Sequence, residues 1–147
     1  MDDRHAELSL ICRVRTWRCA LALSEVVETL RPLPVEAVAG APFFMRGLAL
    51  VRGLVLPVID AARLLDGIDA VSAPRRFVVL RTGERRVVLA VDEVLGVRAV
   101  PIDAQHPLPP LLDEAGRDAV ACIGRLDAEL LLVLDNARLL LSDEVLA

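Results

Sequence analysis

Apolar residues along the chain form short runs that are separated by small groups of polar residues. Paired runs around a polar turn are typical of β-hairpins. The pattern predicts four hairpins, at residues 8–23, 48–58, 77–91 and 123–134. Segments rich in proline lie between them, and proline there prevents a continuous helix or a central strand. The chain is therefore predicted to consist mainly of short β-strands.

Several polar residues that follow strands are candidates for helix caps. Asp60 and Asp135 each come directly after a predicted strand and before a short helix-forming segment. A carboxylate in this position accepts hydrogen bonds from the free amides of the first helical turn and suits its positive end. We therefore expect short helices after Asp60 and Asp135. Ser24 and Asp92 follow other strands and are expected to cap single helical turns.

The sequence also resembles itself. Residues 10–30 align with residues 78–98 without a gap, and residues 58–65 align with residues 133–140. The second half is slightly longer between its two matches, which fits an insertion in its proline-rich loop. Each half is therefore predicted to carry the same order of elements: two strands, a short turn, a loop, two more strands and a helix.

Many short strands at close spacing favour small barrels, because closure removes exposed strand edges. Neither half is long enough to fold comfortably alone. We therefore expect one domain at residues 8–141, made of two barrel subdomains at about residues 9–66 and 76–141 that share a core. Exchange of strands between the two subdomains is left open.

Composition makes the expected core aliphatic and excludes several classes of protein. Hydrophobic residues make up 55% of the 147 residues, whereas aromatic residues make up only 3%. The net charge is −4, and all 17 basic residues are arginines scattered along the chain, which argues against nucleic-acid binding. No apolar run approaches the roughly 18 residues of a membrane-spanning helix.

The cysteines indicate a reducing compartment. Cys12, Cys19 and Cys122 lie in apolar stretches, with no cysteine or histidine nearby at metal-site spacing. An odd number of such cysteines is typical of reduced core thiols. The acidic amino terminus lacks the apolar segment of a signal peptide. We therefore expect a cytoplasmic protein.

Sequence motifs for catalysis, nucleotide binding and metal binding are absent. His5 and His106 have no carboxylate or cysteine neighbours that would form a triad or a metal site. Several carboxylates lie at element boundaries, where capping explains them. They are Asp60, Asp92, Asp103 and Asp135. The sequence thus predicts no enzyme, no metal and no cofactor.

Two arginine pairs, Arg75-Arg76 and Arg85-Arg86, flank one predicted hairpin. A basic patch and solvated strand ends are both open as interpretations of them. High apolar content without catalytic residues favours exposed aliphatic patches, which usually mark protein partners. The residues alone therefore favour an interaction module over an enzyme.

The segment 41–60 resembles the signature of the CheW family; it reads APFFMRGLALVRGLVLPVID. The family pattern runs approximately Pro-x-Phe-hydrophobic-basic-Gly, then an Arg-Gly turn, then hydrophobic-Pro-hydrophobic-hydrophobic-Asp. Further matches follow in family order at SEVVE, at VDEVLGV and at the closing strand and helix. The resemblance covers nearly all of the chain, from about residue 8 to residue 141.

This resemblance implies a mainly all-β fold of two small five-stranded SH3-like β-barrels packed on a shared core. It implies a non-enzymatic adaptor of chemosensory arrays, without membrane insertion, at membrane-proximal receptor arrays. One implied partner is the regulatory domain of a CheA-type histidine kinase, which meets the adaptor barrel against barrel. The other is the helical cytoplasmic tip of a chemoreceptor, which an apolar groove between the barrels receives. Self-association in array rings is left open.

The same resemblance implies five partner-binding residues. Arg52 matches the arginine of the family turn, and Glu28 matches a recurrent glutamate that pairs with it near the receptor face. Val26 matches a position in the groove. Gly47 and Gly53 match glycines that allow tight turns. A purely architectural role for the Arg52–Glu28 pair stays open.

The chain departs from the family pattern at Leu50, where asparagine is usual, and at Ala61, where leucine is usual. These departures concern the choice of partner and leave the fold unaffected. They are compatible with a specialised chemosensory pathway, such as one for surface motility or development. A small-molecule sensor that uses the inter-barrel cleft is the alternative function. An enzyme centred on a reactive cysteine or aspartate is a more distant one.

Overall fold

The structure, a computed structural model, describes residues 6–70, 73–101 and 119–135. Within these ranges it has ten strands, one 3₁₀ turn at Leu23–Glu25 and one α-helix, α1, at Ala61–Asp66. The strands are β1 Ala6–Val14, β2 Trp17–Ala22, β3 Val26–Leu30, β4 Met45–Val51, β5 Leu54–Asp60, β6 Arg76–Thr82, β7 Arg85–Val91, β8 Glu93–Pro101, β9 Val120–Leu126 and β10 Glu129–Leu134. The prediction of a mainly β fold is confirmed, and all four predicted hairpins are present.

The strands form two five-stranded sheets, and each sheet takes strands from both halves of the chain. The first sheet has the order β8-β1-β2-β10-β9, and the second has the order β3-β6-β7-β5-β4. Neighbouring strands run antiparallel, except for β2 beside β10 and β5 beside β7, which run parallel. In each sheet a hairpin from one half therefore lies beside three strands of the other half.

This exchange is reciprocal. The internal repeat places β1, β2 and β3 on β6, β7 and β8, and it places β5 on β10. When β4 is taken as the counterpart of β9, replacing every strand by its counterpart converts the order of one sheet into that of the other. The molecule is thus a duplicated unit in which the first hairpin of each half completes the barrel of the other half.

The edges of both sheets approach each other, as closure into barrels requires. In the second sheet, the segment after β3 bridges to β4 through Glu36 and Leu48. In the first sheet, the end of β8 lies close to the middle of β9, because a Cβ built on Gly124 would lie 3.6 Å from the carbonyl oxygen of Pro101. Each sheet therefore encloses an interior of its own.

Many strands are buried on both faces, one turned into a barrel and the other toward the second sheet. In β7, Val87, Leu89 and Val91 lie in a core that residues of both sheets share, whereas Val88 and Ala90 lie inside the second barrel. The first barrel has a smaller interior cluster. Strands buried on both faces carry continuous apolar runs, which explains the high hydrophobic content. The expected shared aliphatic core is confirmed.

Asp60 begins α1, as predicted. Its carboxylate accepts hydrogen bonds from the backbone N–H groups of Ala62 and Arg63, at 3.0 and 3.3 Å. The side chain is almost completely buried, so these bonds satisfy amides that water could not reach. The helix predicted after Asp135 lies outside the described residues.

The capping roles predicted for Ser24 and Asp92 are wrong. The 3₁₀ turn that contains Ser24 has no side-chain cap. Asp92 is followed directly by β8, and its carboxylate accepts the backbone N–H of Arg15 at 2.6 Å. A helical turn does not form there because β8 pairs with β1 from its first residue.

The three cysteines are free thiols. Cys12 and Cys19 lie directly opposite each other on β1 and β2 and are fully buried in the shared core. Burial raises the pKa of the Cys12 thiol to about 12, and it also raises the pKa of Cys19. Both thiols are therefore protonated and weakly nucleophilic at neutral pH.

Candidate functional site

The β4–β5 hairpin ends in a two-residue turn that consists of Arg52 and Gly53. Val51 and Leu54 pair immediately before and after it. Both turn residues have a positive φ, +52° at Arg52 and +82° at Gly53. Two positive φ values in a two-residue loop fit the turns whose twist matches that of the flanking strands. Glycine adopts this conformation without steric cost, and the turn projects the Arg52 side chain from the barrel.

Arg52 reaches from this turn to Glu28 on β3. Its guanidinium donates twice to the carboxylate, from Nη2 to Oε1 at 2.9 Å and from Nε to Oε2 at 3.3 Å. The side chain of Glu28 is 26% exposed and that of Arg52 is 70% exposed, so the arginine is the outer partner. A pair this accessible adds little to stability, but it fixes the direction of an outward-facing cation.

The hydrogen bond from Arg52 lowers the pKa of Glu28 below its ordinary value, and the charges of Arg52 and Arg86 act in the same direction. Because the folded-state pKa is depressed, the pair stabilises the fold above the pKa of an unfolded glutamate. This stabilisation is lost as the pH falls through the depressed value. We expect Arg52→Ala to raise the pKa of Glu28. An NMR titration of the Glu28 carboxyl carbon measures this, and an unchanged pKa would show that the two side chains do not pair in solution.

Exposed apolar side chains flank the same turn. Leu50 and Val55 are cross-strand partners and are each 65% exposed, and Leu54 is 47% exposed. We call these three residues the tip patch. Leu50 was singled out in the sequence, but Leu54 and Val55 were not. The signal that identifies them is a pair of consecutive apolar residues beside a turn, since only one face of a strand end can enter a core.

Apolar side chains beside the core that the two barrels share line an open cleft or lie on the same face next to it. Leu23 and Val26, the first residue of β3, are half-buried against this core. Leu8 on β1 is 60% exposed and lines a cleft with Leu23. Val97 on β8 pairs with the buried Leu10, so it lies on the same face of the first sheet, and it is 48% exposed. We call Leu8, Leu23, Val26 and Val97 the groove residues.

Gly47 lies inside the second barrel. It has a φ of +144° and adjoins a bulge in β4. The segment after β3 crosses the strand here, where Glu36 exchanges two backbone hydrogen bonds with Leu48, at 2.9 and 2.8 Å. A Cβ on residue 47 would lie 1.9 Å from the carbonyl oxygen of Glu36. Only glycine allows this approach, so Gly47 shapes the hairpin that carries Arg52.

The described residues bring together groups suited to contact with another protein: an outward-facing ion pair, the tip patch and the groove. Within the same residues, no three His, Cys, Asp or Glu side chains are grouped as a metal site. His5, His106 and Asp103 lie outside the described residues. In the described part of the chain, every helix is too short or too polar to cross a bilayer.

The chain resembles proteins of one family over most of its length. The profile of the family described as CheW-like domain matches residues 9–144. Protein FrzA of Myxococcus xanthus is 36% identical over 110 residues, which cover 74% of this chain and 66% of that protein. Chemotaxis protein CheW of Klebsiella aerogenes is 29% identical over 113 residues, which cover 76% of this chain and 68% of that protein. The chain thus spans about two thirds of the length of these relatives.

A solved structure has the same architecture. The crystal structure of scaffolding protein TtCheW from Thermoanaerobacter tengcongensis matches with a TM-score of 0.72 and 21% sequence identity. The match covers 88% of this chain and 89% of that one, so it includes both barrels. The predicted fold of two SH3-like β-barrels is confirmed.

Proposed function

Because the chain belongs to the CheW-like domain family, we propose that it is a non-enzymatic adaptor in chemotaxis-type signalling. It couples the cytoplasmic tip of a chemoreceptor to the regulatory domain of a CheA-type histidine kinase. It acts in the cytoplasm, at membrane-proximal receptor arrays. The observation that carries the proposal is the open apolar cleft at Leu8 and Leu23, beside the shared core of a chain that this family matches over residues 9–144.

We assign the receptor tip to the groove. We infer that the groove residues form one aliphatic strip, because an amphipathic helix buries its apolar face in a strip of this kind. Val26 and Glu28 are two residues apart on β3, and the bulge between them places Val26 on the face of the shared core and Glu28 on the opposite face, opposite Val79. We infer that the receptor helix extends from the groove across β3, where its polar side meets the exposed guanidinium of Arg52.

We assign the kinase domain to the end of the second barrel that carries the tip patch. Leu50 and Val55 are highly exposed there, although apolar side chains of this size gain free energy when they leave water. An apolar barrel end suits end-to-end contact with another small barrel. Contacts of this type, repeated at successive molecules, would also build rings, so self-association in array rings belongs to this proposal.

Charge reversal at Arg52 tests the receptor assignment. Arg52→Glu places two carboxylates side by side and removes the cation, so we expect the dissociation constant for the receptor tip to rise about tenfold or more. Calorimetric titration with a cytoplasmic receptor fragment measures it. The matched control is Arg98→Glu, because Arg98 forms a comparably exposed ion pair with Asp127, at 3.2 Å. Unchanged binding by a folded Arg52→Glu protein would refute the site assignment.

The exchange variant that combines Arg52→Glu with Glu28→Arg separates a contact role from an architectural one. It restores the ion pair with its partners interchanged. If the pair only holds β3 against the β4–β5 turn, both stability and receptor binding should recover. If Arg52 itself contacts the receptor, stability should recover while binding stays weak. Failure of the unaltered protein to bind either receptor or kinase domain at high micromolar concentration would reject the adaptor function altogether.

The alternative function, a small-molecule sensor, predicts an enclosed cavity between the barrels. The cleft at Leu8 and Leu23 has a volume of about 580 Å³ and is open to solvent. An open apolar cleft suits a helix better than a small polar metabolite, whose affinity depends on enclosure. The adaptor is therefore the function that we propose.

A further inference from the structure

A wide cleft at the junction of the two sheets is lined by arginines from separate parts of the chain. It has a volume of about 1020 Å³. Arg13 lies near the end of β1, and Arg31 follows the last residue of β3. Arg75 and Arg76 lie at the start of β6. Of these four arginines, the sequence pattern singles out only Arg75 and Arg76, which it leaves open as a basic patch or as solvated strand ends.

Strand pairing gathers these arginines. β3 runs antiparallel to β6, and their last pair is Leu30 with Phe77. Arg31 and Arg76 are the next residues along the two strands, so they lie beside each other. The end of β1 is held to the start of β8, since the backbone N–H of Asp92 donates to the carbonyl oxygen of Arg13 at 3.0 Å. The cleft is therefore a fixed feature of both sheets, built from regular backbone hydrogen bonds.

Positive charge in the cleft exceeds negative charge. Its carboxylates are engaged: Glu93 pairs with Arg13 at 3.5 Å, and Asp92 accepts a backbone N–H. The other three cleft arginines make no side-chain hydrogen bond or ion pair with any described residue. They are Arg31, Arg75 and Arg76. Like charges in a concave wall focus a positive potential, and this occurs in a chain whose net charge is −4.

We propose that this arginine cleft binds an acidic segment of a partner protein, an extended stretch that carries several Asp or Glu side chains. Guanidinium groups bind carboxylates through two parallel hydrogen bonds. One exposed contact of this kind is weak, so a single small anion gains little. A peptide that carries several carboxylates engages the three arginines in one binding event. The cleft contains no groove residue and no residue of the tip patch, so this proposal does not rest on the proposed function.

Binding of a short fluorescein-labelled peptide of alternating glutamate and glycine, followed by fluorescence anisotropy, tests the proposal. We expect binding at low salt that weakens as salt is added. The double variant R75Q/R76Q should bind about fivefold more weakly or worse, because two exposed arginine–carboxylate contacts are lost. The matched control is R81Q/R86Q, which removes the same charge from cross-strand partners nearer the turn of the same hairpin. Melting temperatures verify that both variants are folded.

The outcomes separate the occupants of the cleft. Selective loss of binding in R75Q/R76Q, with no binding of the matched glutamine–glycine peptide, supports the proposal. Equal loss in both variants would overturn it, because binding would then follow net charge alone. Tighter binding of adenosine triphosphate or of a single-stranded oligonucleotide at the same arginines would also overturn it, by assigning the cleft to phosphates. Absence of peptide binding at low salt would also overturn the proposal.

Discussion

Replacement of Gly47 by valine is expected to lower the free energy of unfolding by more than about 3 kcal/mol, which is a large part of the total stability of a small domain. An added Cβ would lie 1.9 Å from the carbonyl oxygen of Glu36 and 2.6 Å from its carbonyl carbon. These backbone atoms are held by the two hydrogen bonds between Glu36 and Leu48. Neither segment can therefore move aside without opening the barrel.

Urea denaturation followed by circular dichroism measures this loss, with Gly53→Ala as the matched control. Gly53 also has a positive φ, but a Cβ added there meets no atom within 4 Å. Gly53→Ala should therefore lower the free energy of unfolding only by the backbone penalty of about 1 kcal/mol. If both variants unfold at the same urea concentration, Glu36 does not cross β4 closely in solution. The comparison also separates folding from binding, since both glycines were identified as partner-binding residues by resemblance.

Local sequence signals predicted the elements well where each strand and turn depends on its own residues. The four hairpins follow from apolar runs around polar turns, and α1 follows from Asp60 as its cap. Prediction failed at Asp92, because the same residue types that cap helices also terminate strands. There the pairing of β8 with β1 decided the outcome, and that pairing depends on residues far away in the chain.

The assignment of strands to barrels could not be derived from the sequence. The two halves carry the same apolar pattern, so β2 presents a similar edge to β5 and to β10. In the structure Cys19 of β2 pairs with Leu132 of β10, and Val88 of β7 pairs with Val58 of β5. A barrel closed within one half would satisfy the same local preferences. The sequence therefore left strand exchange open.

The candidate site shows a similar limit. Arg52 and Glu28 were identified through a family resemblance, because nothing in their local pattern predicts that a turn and a distant strand lie together. The exposure of Leu54 and Val55 was missed, since high apolar content was explained almost entirely by strands with two buried faces. The sequence also does not predict that Arg31 lies beside Arg76, because only the pairing of β3 with β6 brings these two residues together.

The second large effect is expected at Asp60, whose side chain combines a helix cap with a buried ionic contact. Its carboxylate accepts hydrogen bonds from the backbone N–H groups of Ala62 and Arg63, and it accepts another from Nη1 of Arg46 at 2.9 Å. Asp60→Ala removes these interactions and should lower the free energy of unfolding by about 3 kcal/mol. Asp60→Asn keeps an acceptor for the cap and should cost about half as much. Urea denaturation of both variants measures the difference.

The shape of the urea transition carries further information, because α1 packs into the core that both sheets share. Loss of the cap is therefore transmitted to both barrels, and we expect one cooperative transition that moves to lower urea without splitting. Asp127→Asn is the control, since asparagine tolerates the positive φ of +59° at this position and loss of the exposed ion pair with Arg98 should change stability by less than about 1 kcal/mol. Equal costs for Asp60→Ala and Asp60→Asn would assign the stabilisation to Arg46 and not to the cap. Two separate transitions in Asp60→Ala would show that the barrels unfold independently, which a shared core does not allow.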